Sequence, residues 1–279
     1  MITFSAFADE ISQDLQEQMD ACAENGVYCI DVRLIDKTNV SKMSLPQVKE
    51  YKQQMDDRGF TVPCIGSPLG KISMADDFEA HLDVLKHCIE VAHTFGTKRI
   101  RMFSFYPPPN HNIADQRAGV MERITQMVEV AKAGDAVLYH ENEKAIYGAV
   151  PERVLDIFKT IKSEHLKGIF DPANYVEEGV APYDQGWTKG LAEFTDYFHV
   201  KDKVPGADTC APAGHGKGQF DEIFADLKAR EFDGYMTLEP HMAAAGQFSG
   251  YTGSDLFKTA CDALKAVCDK AGLAYNPQR

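Results

Sequence analysis

Apolar residues along this chain follow two alternating rhythms. Short strand-like runs are each followed by a stretch in which apolar positions recur every three or four residues, and the pair repeats. Residues 3–8 read as a strand; Ser12 then offers an N-cap for a helix carrying Leu15, Met19 and Cys22, which Gly26 stops. Residues 28–34 form the next strand, and Ser44 opens a helix with Val48, Tyr51 and Met55, ended by Gly59. A strand over 60–65 follows, and Asp77 opens a helix whose Phe78, Leu82, Leu85, Ile89 and Ala92 share one face. The fourth strand, 99–105, meets the breaker Pro107-Pro108-Pro109, and the next helix carries Met121, Ile124, Val128 and Ala131.

Four more strands run into Glu141, into Asp171, through His199 to Lys201, and into Glu239, with helices over 154–161, 183–194 and 220–227. The last helix, capped by Ser254, carries Leu256, Ala260, Leu264 and Val267. Eight strand-helix units with no linker-like stretch between them predict an α/β fold, a single (β/α)8 TIM barrel over residues 1–279. A doubly wound open sheet is the alternative, but no G-x-G-x-x-G follows the first strand to support it.

Composition narrows the function classes. Asp and Glu outnumber Lys and Arg by 42 to 29, and a net charge of -13 works against a nucleic-acid partner. No apolar run approaches the roughly 18 residues of a membrane span, so no membrane role is expected. Met1-Ile2-Thr3-Phe4 shows no basic n-region, and the seven cysteines are scattered without a C-x-x-C pair; both point to a cytoplasmic protein with buried thiols. A homo-oligomer is compatible with all of this.

Barrel active sites lie at the C-terminal ends of the strands. There the chain places Glu141, Asp171, His199 and Glu239, separated by roughly one βα repeat each. Any one alone reads as a strand-end polar residue bonded to a loop. Four in succession would converge on one axis, and three carboxylates crowded there without a cation would repel. Mostly oxygen donors with one imidazole suit Mn²⁺ best, with Mg²⁺, Co²⁺, Fe²⁺ or Zn²⁺ as alternatives. Arg101, Lys201 and His241 are candidate substrate contacts, while Glu143 is a candidate extra ligand that reads better as a loop carboxylate. Gly214-His215-Gly216-Lys217-Gly218 is a weak candidate phosphate loop, Trp187 could stack on a sugar ring or serve packing, and His81, His87 and His93 read as surface or interface residues.

The segments Leu138-Tyr139-His140-Glu141-Asn142-Glu143, Phe170-Asp171-Pro172-Ala173-Asn174, His199-Val200-Lys201-Asp202 and Leu238-Glu239-Pro240-His241 resemble those of the xylose isomerase-like barrels, specifically the sugar phosphate isomerase/epimerase branch. Ala8-Asp9-Glu10-Ile11-Ser12, Ile30-Asp31-Val32-Arg33, Ser67-Pro68-Leu69-Gly70-Lys71 and Ile100-Arg101-Met102-Phe103-Ser104-Phe105 extend the resemblance over nearly the whole chain. It implies one divalent metal on Glu141, Asp171, His199 and Glu239, with Glu141 and Glu239 also exchanging protons with a bound sugar. Asn174 stands where tagatose-type 3-epimerases usually place a histidine, and Lys203-Val204-Pro205-Gly206 where they place an arginine. The His199-Val200-Lys201-Asp202 string is closer to the dehydratase pattern.

The expected activity is a metal-dependent isomerase or epimerase acting on a small polyhydroxy carbonyl compound, whether sugar, keto-sugar or cyclitol, through a metal-stabilised ene-diolate. Asn174 is included among its substrate-binding residues. A dehydratase of the inosose or dehydroshikimate type is the alternative. An abasic-site endonuclease would need surplus ligands and a basic groove, and a non-catalytic metal- or sugar-binding protein is the remaining class.

Overall fold

A computed structural model describes residues 1–245 and 250–275. It opens with β1 (Ile2–Ala6) and α1 (Leu15–Glu24), then a small hairpin of β2 (Leu34–Ile35) and β3 (Thr38–Asn39), and α2 (Leu45–Asp57). Regular alternation follows: β4 (Ile65–Leu69), α3 (Phe78–Phe95), β5 (Arg99–Met102), α4 (Arg117–Ala133), β6 (Val137–Glu141), α5 (Pro151–Ile161), β7 (Leu166–Phe170) and α6 (Pro172–Glu177). The chain continues through β8 (Thr195–Val200), α7 (Phe220–Ala229), β9 (Gly234–Leu238), the short pair β10 (Ala244–Ala245) and β11 (Gly250–Tyr251), and α8 (Ser254–Ala271).

Seven strands form one all-parallel sheet in the order β1-β9-β8-β7-β6-β5-β4. The eighth stave is not a regular strand. Residues 28–32 run between the two edge strands and close the ring through isolated parallel bridges, Ala6 with Ile30 on one side and Val32 with Ile65 on the other. The predicted strand over 28–34 is thus an extended closing run whose end turns into the β2–β3 hairpin. Its neighbour is displaced too: β4 begins at Ile65, where a strand was expected over 60–65, and Pro63, which has no N–H to give a ladder, lies in the irregular stretch before it.

Helix starts follow local chemistry. Asp14, not Ser12, caps α1, its carboxylate accepting from the backbone N–H of Gln16 and Glu17. Asp77 caps α3 by accepting from Ala80 N at 3.1 Å. The helix expected over 183–194 is a π turn (Pro182–Gly186) and two 3-10 turns (Trp187–Lys189 and Leu191–Glu193), because Pro182, Gly186 and Gly190, with φ +122°, interrupt any longer run. Trp187 serves packing: it is buried against Phe170 and Phe198 and donates from Nε1 to Asp226 at 2.6 Å.

The seven cysteines are buried thiols outside any disulfide. His81 departs from its expected surface place. It is buried, and its Nε2 accepts from Gly70 N at 2.8 Å. That turn demands glycine, since Gly70 has φ +83° and a Cβ there would lie 2.0 Å from the Phe103 carbonyl oxygen. No helix among the described residues is long and apolar enough to cross a membrane.

Candidate metal centre and active site

Parallel pairing brings the four strand ends to one level. Glu141 closes β6, Asp171 follows β7, His199 lies near the end of β8, and Glu239 follows β9. One ligand atom from each lies within 4.8 Å of every other, and all four residues are buried. His199 Nδ1 is 2.9 Å from Glu141 Oε1 and 3.7 Å from Glu239 Oε2.

Each glutamate is anchored on its outer oxygen by an arginine. Arg101 Nη1 donates to Glu141 Oε2 at 3.1 Å, and Arg33 Nη1 to Glu239 Oε1 at 2.7 Å. Asp171 is fixed by the first turn of α6: its Oδ1 accepts from Asn174 N at 3.0 Å, capping the helix. Asn142 locks the same corner, giving its amide to Asp171 O and accepting from Asp171 N, both at 2.9 Å. Asn174 Nδ2 donates to Asn142 O at 2.8 Å and reaches Glu141 Oε1 at 3.5 Å. Lys201 enters between carboxylates, with Nζ 2.5 Å from Asp171 Oδ2 and 2.6 Å from Glu239 Oε2.

The centre is under-satisfied. Both nitrogens of His199 and Oδ2 of Asp171 are buried without a hydrogen-bond partner among the described residues, so the His199–Glu141 and Lys201–Asp171 approaches are charge contacts, whereas Lys201 Nζ does donate to Glu239 Oε2. Native proteins rarely leave such buried polar atoms without a partner. Three carboxylates and an imidazole are also the donor set of a divalent cation, and the residues fit one.

Titration behaviour follows from the same contacts. Burial raises the Glu141 carboxyl, yet His199 and Arg101 override it and hold it down to about 2. Burial likewise opposes the charge on Glu239, but Lys201, His241, His199 and Arg33 keep it well below the usual carboxylate range. Asp171 goes the other way, pushed up to about 7 by burial and by Glu141 and Glu239 against the pull of Lys201. Lys201 stays an ammonium, since Asp171 and Glu239 outweigh its desolvation.

The remaining expected residues fall into three groups. Arg101, Lys201 and Asn174 line the four-residue centre, while His241 stands on the far side of Glu239, its Nε2 3.6 Å from Glu239 Oε1. Glu143 stands apart as a loop carboxylate paired with Lys71 at 3.1 Å. The glycine loop is closed by the chain itself. Asp202 accepts from Lys203 N, Gly216 N and Gly218 N, each at 2.7 Å, and so fills the nest a phosphate would occupy. Sequence reasoning gave no site role to Arg33, Asp9 or Glu10; the available signal was charge at Asp31 and Arg33 inside an otherwise apolar run.

A family model described as the xylose isomerase-like TIM barrel matches residues 19–267. Comparison with curated proteins gives no match. Among solved structures, the crystal structure of the probable 3-DHS dehydratase AsbF, involved in petrobactin synthesis, from Bacillus anthracis superposes with a TM-score of 0.74 at 18% identity, covering 94% of this chain and 98% of that one. An L-ribulose 3-epimerase gives 0.73 at 16% identity, with 97% and 95% covered. A xylose isomerase-like TIM barrel protein from Mycobacterium smegmatis in complex with magnesium gives 0.72 at 14% identity, with 97% of each chain covered. At these identities the likeness is one of fold.

Proposed function

We propose that this chain, which belongs to the xylose isomerase-like TIM barrel family, is a divalent-metal-dependent isomerase or epimerase of a small polyhydroxy carbonyl compound. The observation that carries the reading is the convergence of Glu141, Asp171, His199 and Glu239 within 4.8 Å at the C-terminal mouth, with buried atoms left unpartnered. These four residues would hold the metal, Mn²⁺ by preference. A bound cation supplies Lewis-acid polarisation of a carbonyl and charge stabilisation for an ene-diolate, worth several kcal/mol.

The chain's own residues move the protons. Glu141 and Glu239 are both anionic at neutral pH, so either carboxylate accepts the proton from the carbon between the carbonyl and its neighbouring hydroxyl. Isomerisation follows when the protonated carboxylate, its proton exchangeable with water, protonates the former carbonyl carbon while the neighbouring hydroxyl's proton passes to the former carbonyl oxygen, leaving the new carbonyl at the neighbouring carbon. Delivery to the opposite face, giving epimerisation, needs the other glutamate to carry a proton taken up from solvent before the step. Arg101 and Arg33 hold the outer oxygens, so each carboxylate is oriented before substrate arrives.

Lys201 favours a second reading, elimination. An ammonium beside the reacting carbon can protonate a departing β-hydroxyl, which leaves as water while the electron pair from the broken C–H bond forms the new double bond. Incubation of Mn²⁺-loaded protein with ketoses, inososes and dehydroshikimate in D₂O, read by NMR, tests both. Deuterium wash-in with an isomeric product supports the first reading, and a conjugated enone absorbing in the ultraviolet supports the second. Metal loading without exchange or product on any of these compounds would refute both.

A further inference from the structure

Glu239 faces a second group of buried charges. Asp9 and Glu10 follow β1 in a 3-10 turn, Arg33 follows the closing run and His241 follows β9, so three adjacent staves contribute. Arg33 Nε donates to Asp9 Oδ2 at 2.8 Å, and its Nη2 lies 3.6 Å from Glu10 Oε1. Glu10 Oε2 is already used, accepting from His241 N at 2.8 Å and Thr252 Oγ1 at 2.7 Å. Four atoms are not: Asp9 Oδ1, Glu10 Oε1, Arg33 Nη2 and His241 Nε2 have no hydrogen-bond partner among the described residues, although all four side chains are buried. His241 Nε2 is 3.1 Å from Glu10 Oε1 but not aligned to bond it.

Two donors and two acceptors without an aligned hydrogen bond, three of them held only as ion pairs about Glu10 Oε1, describe a ligand that both donates and accepts. Ligand atoms of Glu10, Glu239 and His241 come within 4.8 Å of one another and so could be read as a second cation site. Arg33 argues against that, because its guanidinium already supplies the positive charge 2.7 Å from Glu239 Oε1. An anionic group would meet Asp9, Glu10 and Glu239 at close range, and an ammonium would meet Arg33. Neighbouring hydroxyls match, each giving its hydrogen to a carboxylate oxygen and accepting from Arg33 or His241.

We propose that Asp9, Glu10, Arg33 and His241 form a subsite for an uncharged vicinal diol, the non-reacting end of the substrate, and that the compound handled carries no phosphate. The proposal rests on the isomerase reading above. The glycine loop supports it independently, since Asp202 occupies the backbone N–H groups of Gly216 and Gly218. Two lysines in the stretches after β8 and β6 are also engaged: Lys203 and Lys144 both pair with Glu177, at 2.9 and 3.1 Å.

The test is calorimetric binding to the full-length, Mn²⁺-loaded protein of matched pairs: D-ribulose and D-ribulose 5-phosphate, D-fructose and D-fructose 6-phosphate, myo-inositol and myo-inositol 1-phosphate. At least one neutral member should bind about tenfold or more tightly than its phosphate. Asp9→Asn, which turns an open acceptor into an amide, should weaken that neutral member by about tenfold with metal stoichiometry unchanged. Tighter binding of the phosphorylated members overturns the proposal while the isomerase reading stands. Metal loading with no affinity for any member overturns both. Where Asp9→Asn lowers thermal stability or metal content, the wild-type pairs alone decide.

Discussion

Lys201 holds a place that a divalent cation would contest. Its ammonium lies 2.5 Å from Asp171 and 2.6 Å from Glu239, and it is buried. Lys201→Met keeps the length of the side chain and removes its charge. In the metal-free protein, two buried carboxylates then lose a counter-ion, and breaking a buried pair costs about 3–5 kcal/mol. For a chain of this size that lowers the melting temperature by roughly 5–15 °C. Metal affinity should move the opposite way. Unit charges about 4 Å apart repel by about 4 kcal/mol at an effective dielectric near 20, so relief of even a third of that tightens Mn²⁺ binding about tenfold. Scanning fluorimetry of chelator-treated and Mn²⁺-saturated protein, with calorimetric metal titration, reads both effects. The variant should be less stable without metal and gain more from it. Unchanged or weaker Mn²⁺ affinity in a folded Lys201→Met protein would show that the cation sits elsewhere.

Glu141→Gln and Glu239→Gln keep shape and remove the bases, so either should lower turnover by about 10² or more in steady-state assays, including in protein that still holds metal. His81 gives a pH signature away from the centre: burial brings its imidazole from 6.5 down to about 4, so folding favours the neutral form. That stability is present above pH 6.5 and is lost as pH falls toward 4, a contribution of about 3 kcal/mol. Urea denaturation at pH 7 and pH 4.5 should show a smaller pH difference in His81→Gln than in wild type. Gly148→Ala should cost about 1–3 kcal/mol by thermal melt, because a Cβ there would lie 2.4 Å from His140 Cε1 and 2.9 Å from Ser104 Oγ.

The barrel and the convergence of Glu141, Asp171, His199 and Glu239 were legible because each residue interrupts an apolar run where a strand must end. Parallel packing then leaves such residues only one place to go. The second group was not legible in the same way. Arg33 meets Glu239 across 206 positions of sequence, and no local pattern encodes a partner so distant. Asn142 is similarly silent in sequence, since its role depends on the backbone of Asp171 on the next strand. The glycine loop misled for a related reason. Backbone N–H groups free in the sequence are claimed by Asp202 once the chain folds.

The closing run over 28–32 makes the barrel wall and the active site mechanically one object. β1 and the segment leading into and through β4 are joined there by a few backbone hydrogen bonds, Asp31 N to Ala6 O and Ile30 N to Thr61 O, both at 3.0 Å, and Gly66 N to Val32 O at 2.8 Å. The next residue but one after Asp31 in the chain is Arg33, which orients Glu239. A breathing motion that parts this seam withdraws the guanidinium from the carboxylate in the same stroke. Opening at the seam therefore removes one of the two cations that aim Glu239, Lys201 being the other, and a ligand bridging Arg33 and Glu239 would act as a rivet, slowing amide exchange at Ile30, Asp31 and Gly66 from inside the mouth.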